Sequence, residues 1–198
     1  MPDCIVAAGG LSSRMKSWKP TLLWGSATIL LKTVTEALST GCRVIVAGGY
    51  RYEDLTGLLE ELNGVDRLIL HNSREWEKGM DETVRSALTE IFSKSFFVVP
   101  VDMPLIASED YRKLTILAES YEDFAKDEVP VAFRPFYKGV PGHPVLLNRA
   151  AGKILKSSPA GIPIRTVLEG VTVISEPWGH EGVIQDIDTL SEYESLKP

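Results

Sequence analysis

A glycine-rich segment near the N-terminus has the composition of an anion-binding loop. Residues 8–15 read Ala-Gly-Gly-Leu-Ser-Ser-Arg-Met and follow a short apolar run. Gly9 and Gly10 allow the backbone to turn tightly so that its N–H groups face an anion, and Arg14 and Lys19 add two positive charges. The segment lacks the signatures of the P-loop and of the G-x-G-x-x-G loop, which argues against mononucleotide kinases and NAD-binding proteins. The alternative is an ordinary glycine-rich turn with solvated basic residues.

Three aspartates have the chemistry of a magnesium site. Asp102 follows an apolar run, and Asp186 and Asp188 are two positions apart near the C-terminus. If residues 186–188 are extended, both of their carboxylates lie on one face. With Asp102 they would suit Mg²⁺, which prefers one or two carboxylates together with phosphate oxygens. Alternatively, Asp102 is a turn or cap residue and Asp188 merely favours the N-terminus of the last helix.

The elements that must position these residues alternate between two apolar patterns. Continuous apolar runs at residues 4–8, 44–47, 68–70 and 96–101 are typical of strands buried on both faces of a parallel sheet. Apolar residues at helical spacing predict a helix after each run. The four helical faces are Leu30/Val34/Ala37/Leu38, Leu55/Leu58/Leu59/Leu62, Val84/Ala87/Leu88/Ile91 and Leu114/Leu117/Ala118/Tyr121.

This order predicts an α/β fold, a three-layer α/β/α sandwich around a Rossmann-like, mostly parallel sheet with right-handed crossovers. Ligands bind such a sheet at the carboxyl ends of its strands, where the glycine-rich loop and Asp102 are expected.

Beyond residue 123 the pattern changes. Strands are predicted at residues 129–133 and 144–147, joined by a Gly/Pro-rich turn at 136–142. Short helices near 149–155 and 164–168 and a strand at 171–174 follow. Residues 183–188 are predicted to be extended, and they lead into a helix that Thr189 and Glu192 cap as a T-x-x-E box. No linker divides the chain, so residues 1–198 are predicted to be one domain.

Composition excludes several classes of protein. The 198 residues carry a net charge of −6, which argues against a dedicated nucleic-acid or membrane-surface binder. The apolar runs are far shorter than the ~20 residues of a membrane-spanning helix. Cys4 and Cys42 are predicted to be buried, reduced thiols, as in a cytoplasmic protein, because a disulfide scaffold would be cysteine-dense.

Taken in order, these segments resemble the MobA/MocA-like nucleotidyltransferases, the guanylyl- and cytidylyltransferases of the molybdenum cofactor and their relatives. The opening motif at residues 8–15, with Lys19-Pro20 and Leu22-Leu23, is the longest match. The later matches, in chain order, are Asn72, Gly79-Met80, Asp102-Met103-Pro104-Leu105, Gly142-His143-Pro144-Val145 and Asp186-Ile187-Asp188-Thr189 with Tyr193. The resemblance spans nearly the whole chain.

The resemblance implies a fold of the nucleotide-diphospho-sugar transferase type and a role for each matching residue. Arg14 and Lys19 would contact the phosphates of a nucleoside triphosphate and, with Asp102, act in catalysis. Asp102 would bind Mg²⁺ with Asp188 or Asp186 as a second carboxylate. The rest of the nucleotide site would comprise Ala8, Gly9, Gly10, Ser12, Asn72 and Gly79, with Gly79 near the base and ribose. His143 either orients the acceptor or hydrogen-bonds a buried carbonyl.

The implied reaction moves a nucleoside monophosphate from CTP or GTP to a phosphorylated small-molecule acceptor, with molybdopterin favoured, and releases pyrophosphate. An acceptor phosphate with a second pKa near ~6 is a dianion at pH 7, so no general base is needed. Alignment and charge neutralisation then suffice for catalysis. The protein is expected to be a monomer or a weak homo-oligomer.

Some residues depart from the family pattern. Lys16 replaces a glycine, and Glu82 stands where a small hydroxyl residue is usual. Residues 8–10 and 102–104 favour the guanylyl type, whereas 79–80 and 142–146 favour the cytidylyl type, so the base stays open. Two alternatives follow: a sugar- or alditol-phosphate nucleotidyltransferase, and a non-catalytic nucleotide-sensing module of the same fold.

Overall fold

The chain alternates strands and helices in a computed structural model that describes residues 1–13, 15 and 17–198. The strands within the described residues are β1 (Asp3–Ala7), β2 (Leu23–Trp24), β3 (Ala27–Thr28), β4 (Arg43–Gly48), β5 (Leu68–Asn72), β6 (Ser95–Pro100), β7 (Val131–Tyr137), β8 (Val140–Pro141), β9 (Val145–Asn148) and β10 (Thr172–Pro177). The helices are α1 (Ile29–Ser39), α2 (Tyr52–Leu58), α3 (Met80–Ala87), α4 (Ser108–Glu119), α5 (Arg149–Ser157), α6 (Ile164–Val167) and α7 (Leu190–Leu196).

One mixed sheet organises these elements. Its strand order is β10-β7-β9-β6-β1-β4-β5, with β8 paired to β7, and β2 and β3 form a separate hairpin. β1 lies at the centre and pairs in parallel with β4 and β6. β9 is antiparallel to both of its neighbours. The prediction of a mostly parallel sheet is confirmed.

Alternate side chains of the central strand enter two separate cores. Cys4 and Val6 pack in a cluster that contains residues of α1, α2 and α4. Ile5 and Ala7 pack in a second cluster with residues of α3, α5 and α6. A strand directs successive side chains to opposite faces, so helices cover both sides of the sheet. The predicted three-layer α/β/α sandwich is therefore confirmed.

Several predicted boundaries shift. The helix predicted through Leu62 ends at Leu58, and a separate 3₁₀ turn covers Glu60–Leu62. The predicted turn at 136–142 is instead a hairpin, because β7 continues to Tyr137 and pairs with β8. The prediction of an extended segment from 183 is wrong at its start, where Glu181–Val183 form a 3₁₀ turn. None of the helices within the described residues is long and apolar enough to cross a membrane.

Polar contacts hold the C-terminal segment against α4 and against the β2–β3 hairpin. The Asp110 carboxylate on α4 accepts hydrogen bonds from Trp178 Nε1 at 2.7 Å and His180 Nε2 at 2.8 Å. Farther along, the capping box of Thr189 and Glu192 starts α7 as predicted. Tyr193 on that helix donates its hydroxyl to the Leu23 carbonyl at 2.6 Å. These contacts fix both ends of the segment that contains Asp186 and Asp188.

At the N-terminal end of the central strand, buried Asp3 joins β1 to its neighbours. Its carboxylate accepts two hydrogen bonds from Arg43, both at 3.0 Å, and one each from the backbone N–H groups of Phe92 and Ser93. Burial by itself would raise the pKa of Asp3, but these hydrogen bonds outweigh it and hold that pKa below its usual value.

We predict that Asp3→Asn lowers the free energy of unfolding at pH 7 by about 2–3 kcal/mol, because it removes a buried carboxylate that accepts four hydrogen bonds and leaves the partly buried Arg43 without its counter-charge. The stabilisation by ionised Asp3 is present above the ordinary carboxyl pKa of about 4 and is lost as the pH falls through its lower folded-state pKa. Urea unfolding between pH 2 and pH 7 should therefore show a shallower acid limb for the variant. Glu75→Gln, which breaks an exposed pair with Lys78, is the control and should change stability by no more than about 0.5 kcal/mol. Equal effects of the two variants would contradict this account.

Candidate active site

A cavity of about 210 Å³ opens at the carboxyl edge of the sheet, where β1 and β6 end side by side. The glycine-rich loop, the start of α3 and the C-terminal segment surround it. Its lining comprises Ala7, Ala8, Gly10, Ser12, Ser13, Lys19, Pro20, Met80, Val101, Asp102 and Asp188. The structure therefore brings together residues predicted from three distant parts of the sequence.

The ammonium group of Lys19 holds two of the predicted aspartates together. Its Nζ atom lies 2.8 Å from Asp102 Oδ2 and 2.7 Å from Asp188 Oδ1. The side chains of Lys19 and Asp102 are each 12% exposed, and that of Asp188 is 30% exposed. Burial by itself would lower the pKa of Lys19, but the two carboxylates outweigh it and raise that pKa above its usual value. The two carboxylates therefore lie within reach of a single cation.

One backbone hydrogen bond positions the C-terminal aspartates. The Ile187 N–H donates to the carbonyl of Asp102 at 2.9 Å, and the Ile187 side chain is fully buried. Its two neighbours, Asp186 and Asp188, both line a second cavity of about 300 Å³ together with Asp102. Burial, followed by the negative charges of Asp188 and Asp102, raises the pKa of Asp186. The structure thus concentrates negative charge at this point.

The carboxylates at this site determine which metal ion it could hold. Within the described residues, no group of three or more His, Cys, Asp or Glu side chains is arranged to hold a metal. Mg²⁺ needs only one or two carboxylates when substrate phosphates and water complete its coordination. Asp102 and Asp188, whose carboxylates both contact the Lys19 ammonium group, meet that requirement.

The glycine-rich loop is held by local contacts. Ser12 adopts a left-handed conformation with φ of 52°, and its hydroxyl accepts a hydrogen bond from the Lys19 N–H at 2.9 Å. Beside it, Gly9 packs against α3: a Cβ at this position would lie 2.7 Å from Thr83 Oγ1. A glycine is therefore required at this close approach, whereas a Cβ on Gly10 would meet no atom within 4 Å.

The remaining predicted nucleotide-site residues have different surroundings. Arg14, like Lys16, lies outside the described residues. Asn72 ends β5 and is exposed, and Gly79 precedes α3 with φ of 108°. Neither of these two lines the cavity described above, although Met80, directly after Gly79, does.

His143 makes the hydrogen bond expected of a structural histidine and also lines a cavity. Its Nδ1 atom lies 3.4 Å from the carbonyl oxygen of Val98. Burial lowers the pKa of His143, so the imidazole is neutral at pH 7. The ring also lines the cavity that contains the three aspartates, and the two interpretations given above are thus compatible.

Glu82, the acidic departure from the family pattern, has a structural partner. Its carboxylate pairs with Arg85 at 3.1 Å and accepts the N–H of Gly161 at 2.9 Å. Arg85 in turn donates to Ser158 Oγ at 3.2 Å and to the carbonyl of Ile162. This buried pair ties α3 to the segment before α6 and takes no part in lining the site.

Sequence reasoning missed the apolar part of the site. A third cavity, of about 320 Å³, shares Met80, Gly142 and His143 with the cavity of the aspartates. Arg134 and Arg165 also line it. A charged residue in an otherwise apolar strand, Arg134, was the one feature of the sequence that could have indicated this cavity. Arg165 lies on a helix too short to show periodicity.

Fold and site together define a nucleotide-handling α/β protein, and comparison with known proteins identifies its class. The sequence pattern of the MobA-like NTP transferase domain family matches residues 4–177. The chain belongs to this family and is a nucleotidyltransferase.

The individual relatives agree with this class. The chain is 29% identical to the molybdenum cofactor cytidylyltransferase of Escherichia coli (strain K12) over 98% of its length and 95% of that protein. Among solved structures, a nucleotidyl transferase from Methanothermobacter thermautotroptrophicus superimposes with a TM-score of 0.80 at 15% identity, covering 100% of this chain and 96% of that one. A Mycobacterium tuberculosis H37Rv protein solved in complex with manganese has a TM-score of 0.67 at 17% identity, covering 98% and 97%. At these identities the two structures show the shared fold.

We predict that Gly9→Ala costs about 1–3 kcal/mol of stability, because the added methyl group overpacks against Thr83. Gly10→Ala is the matched control and should change stability by no more than about 0.5 kcal/mol. Thr83→Ala in the Gly9→Ala background should recover part of the loss, since it removes the two nearest atoms. Thermal unfolding of the four proteins measures this, and equal losses for the two glycine variants would contradict the packing described.

Proposed function

We propose that this protein catalyses the metal-dependent transfer of a nucleoside monophosphate from CTP or GTP to a phosphorylated small-molecule acceptor, with molybdopterin favoured. The observation that carries the proposal is the contact of Lys19 with both Asp102 and Asp188 beside the glycine-rich loop. The similarity to a molybdenum cofactor cytidylyltransferase supports CTP as the donor and an acceptor of molybdenum cofactor biosynthesis. The eight-stranded sheet, which joins strands from both halves of the chain, supports a single domain.

Charged residues of the chain would have separate roles in binding the metal ion and the phosphates. Asp102 and Asp188 would hold Mg²⁺, with Asp186 as an additional carboxylate. When bound, the ion supplies positive charge to the α-phosphate and to the leaving pyrophosphate. Lys19, whose ammonium group contacts both carboxylates, would contribute a second cation to the nucleotide phosphates. By the family resemblance, Arg14 contributes a third.

The glycine-rich loop binds the nucleotide by its shape. Ala8, Gly10 and Ser12 line the cavity, and the packing of Gly9 on Thr83 fixes the loop against α3. The loop would present backbone N–H groups to the phosphates, as loops of this kind do. Asn72 and Gly79, at the neighbouring strand and helix ends, would serve the base and ribose.

The transfer itself needs no protein base. An oxygen of the acceptor phosphate, a dianion at pH 7, forms a bond to the α-phosphorus. The bond from that phosphorus to the bridging oxygen breaks, and pyrophosphate leaves with the electron pair. The neutral His143 beside the aspartates would orient the acceptor without exchanging a proton. Catalysis therefore consists of alignment and charge neutralisation.

Two alternatives differ in what the structure offers them. A sugar- or alditol-phosphate acceptor uses the same chemistry and is separated by the acceptor assay below. The alternative of a non-catalytic nucleotide-sensing module rests on two departures from the family pattern, Lys16 and Glu82. Because Glu82 has a structural role, bound to Arg85 and to the Gly161 N–H, it no longer supports that alternative.

The test measures pyrophosphate release with each nucleoside triphosphate, Mg²⁺ and candidate acceptors. We expect turnover with CTP or GTP and a pterin phosphate, and its loss on chelation of the metal. Asp102→Asn should lower turnover roughly a hundredfold or more, because the metal ion whose charge would stabilise the transition state loses a carboxylate ligand. Asp66→Asn, an exposed aspartate in the loop before β5, is the control and should leave turnover unchanged. Full activity of Asp102→Asn would contradict the proposal.

A further inference from the structure

We infer that the surface around the start of β6, the end of β9 and α5 is the interface of a symmetric dimer, in which exposed cations of one chain contact exposed carboxylates of a second copy. β6 begins at this surface and ends at the active site, and the charged residues named below, all within the described part of the chain, line none of the three cavities described above. The inference goes beyond the proposed activity and does not depend on it.

Four exposed cations form a basic stripe on this surface. The basic stripe comprises Lys94, Arg149, Lys153 and Lys156. The last three lie at positions i, i+4 and i+7 of α5 and therefore on one side of that helix. Lys94 adjoins them, because it lines one cavity together with Arg149. Among the residues that the structure describes, none forms an ion pair with any of the four.

The basic stripe is unfavourable in an isolated chain. Like charges at i and i+4 repel each other and destabilise a helix. The chain has 21 Lys and Arg against 27 Asp and Glu, so composition does not account for a cluster of cations without acidic partners. Carboxylates supplied by a second molecule would remove this repulsion.

Exposed carboxylates lie beside the basic stripe. This acidic patch comprises Glu119, Glu122, Asp127 and Glu128. Glu119 and Asp127 line a cavity of about 300 Å³ together with Lys94 and Arg149. In the described part of the chain these four carboxylates form no ion pair either. Two patches of opposite charge therefore stand side by side without neutralising each other by direct contact.

One buried side chain fixes the two patches relative to each other. Asn148, which is 1% exposed, caps α5 by accepting the Ala151 N–H at 3.0 Å. Its Nδ2 atom donates to the carbonyl of Val129 at 2.7 Å and to that of Phe124 at 3.3 Å. The helix of the basic stripe and the segment of the acidic patch are thus bound to the same residue, which makes the charge pattern rigid.

This pattern is complementary to itself. A two-fold axis that passes between the patches places each patch of one chain on the opposite patch of its copy, as an isologous interface requires. A nucleic acid would instead need a broad basic face without neighbouring carboxylates. The charge complementarity therefore favours a second copy of this chain as the partner.

Apolar surface accompanies the charges. Phe92 is 74% exposed, and its carbonyl accepts a hydrogen bond from Arg149 at 3.3 Å. A groove of about 240 Å³ along the basic stripe is lined in part by Leu88, Ile91 and Phe96. Aromatic residues and arginine are enriched at protein interfaces, so the second copy would cover apolar as well as charged groups.

Sedimentation velocity over a series of protein concentrations tests the inference on the native protein. At low ionic strength we expect the average mass to rise with concentration from that of one chain toward that of two. At high ionic strength the dimer should dissociate, because salt screens exposed charges.

Charge reversal provides the sharper test. Lys153→Glu/Lys156→Glu reverses half of the basic stripe, and Glu119→Lys/Glu122→Lys reverses half of the acidic patch. Each variant alone should be monomeric, because like charges then meet at both contacts of the two-fold interface. An equimolar mixture of the two should form a heterodimer, since opposite charges again meet at both contacts.

The matched control makes the same change of charge elsewhere. Lys138→Glu/Lys197→Glu, at two exposed positions outside the interface, should dimerise as the native protein does. A native protein that stays monomeric up to its solubility limit would overturn the inference. So would a dimer that either reversal leaves intact, or a mixture of the two variants that does not associate.

Discussion

The contact of one lysine ammonium group with two aspartates joins the beginning, the middle and the end of this chain. Lys19 follows the glycine-rich loop, Asp102 follows β6, and Asp188 lies just before α7. Two partly buried carboxylates at close range would repel each other strongly without a cation between them. The ion pairs therefore stabilise an arrangement that also suits a divalent ion. Both the stability of this arrangement and the proposed metal binding depend on a positive charge between the two carboxylates.

Several elements of the fold bring Lys19, Asp102 and Asp188 together. β1 and β6 are neighbours in the sheet, so the loop and Asp102 emerge side by side. The segment that follows β10 is held against α4 because Asp110 binds Trp178 and His180 at the start of that segment. The backbone bond between Ile187 and Asp102 then brings it to the site. α3 completes the arrangement, since Thr83 packs on the loop and Met80 lines all three cavities.

The sequence predicted those parts of the molecule that depend on local pattern. Continuous apolar runs identified the central strands, and the T-x-x-E box identified the start of α7. A shared site for Asp102 and Asp188 was predicted from the preference of Mg²⁺ for carboxylates and from the family resemblance, which pointed to both residues; the structure brings both carboxylates to the Lys19 ammonium group. The hairpin at β8 was not predicted, since Pro and Gly in that stretch are typical of an irregular turn.

The apolar cavity could not have been predicted from pattern alone. Val84, Val145, Leu147 and Leu168 are ordinary core residues in sequence, and only the tertiary arrangement leaves space between them. The role of Glu82 could not be predicted from the sequence either. Its spacing to Arg85 suits an ion pair on one helix, but its hydrogen bond to the Gly161 N–H depends on a segment 79 residues away. Long-range closure, rather than local propensity, decides both features.

Binding of Mn²⁺, observed by electron paramagnetic resonance in the presence of a non-hydrolysable CTP or GTP analogue, tests the central claim most directly. The account predicts one nucleotide-dependent Mn²⁺ site in the native protein, strongly weakened by Asp102→Asn and by Asp188→Asn and unaffected by Asp66→Asn. Undiminished Mn²⁺ binding in both site variants, with the nucleotide still bound, would contradict the assignment of these carboxylates.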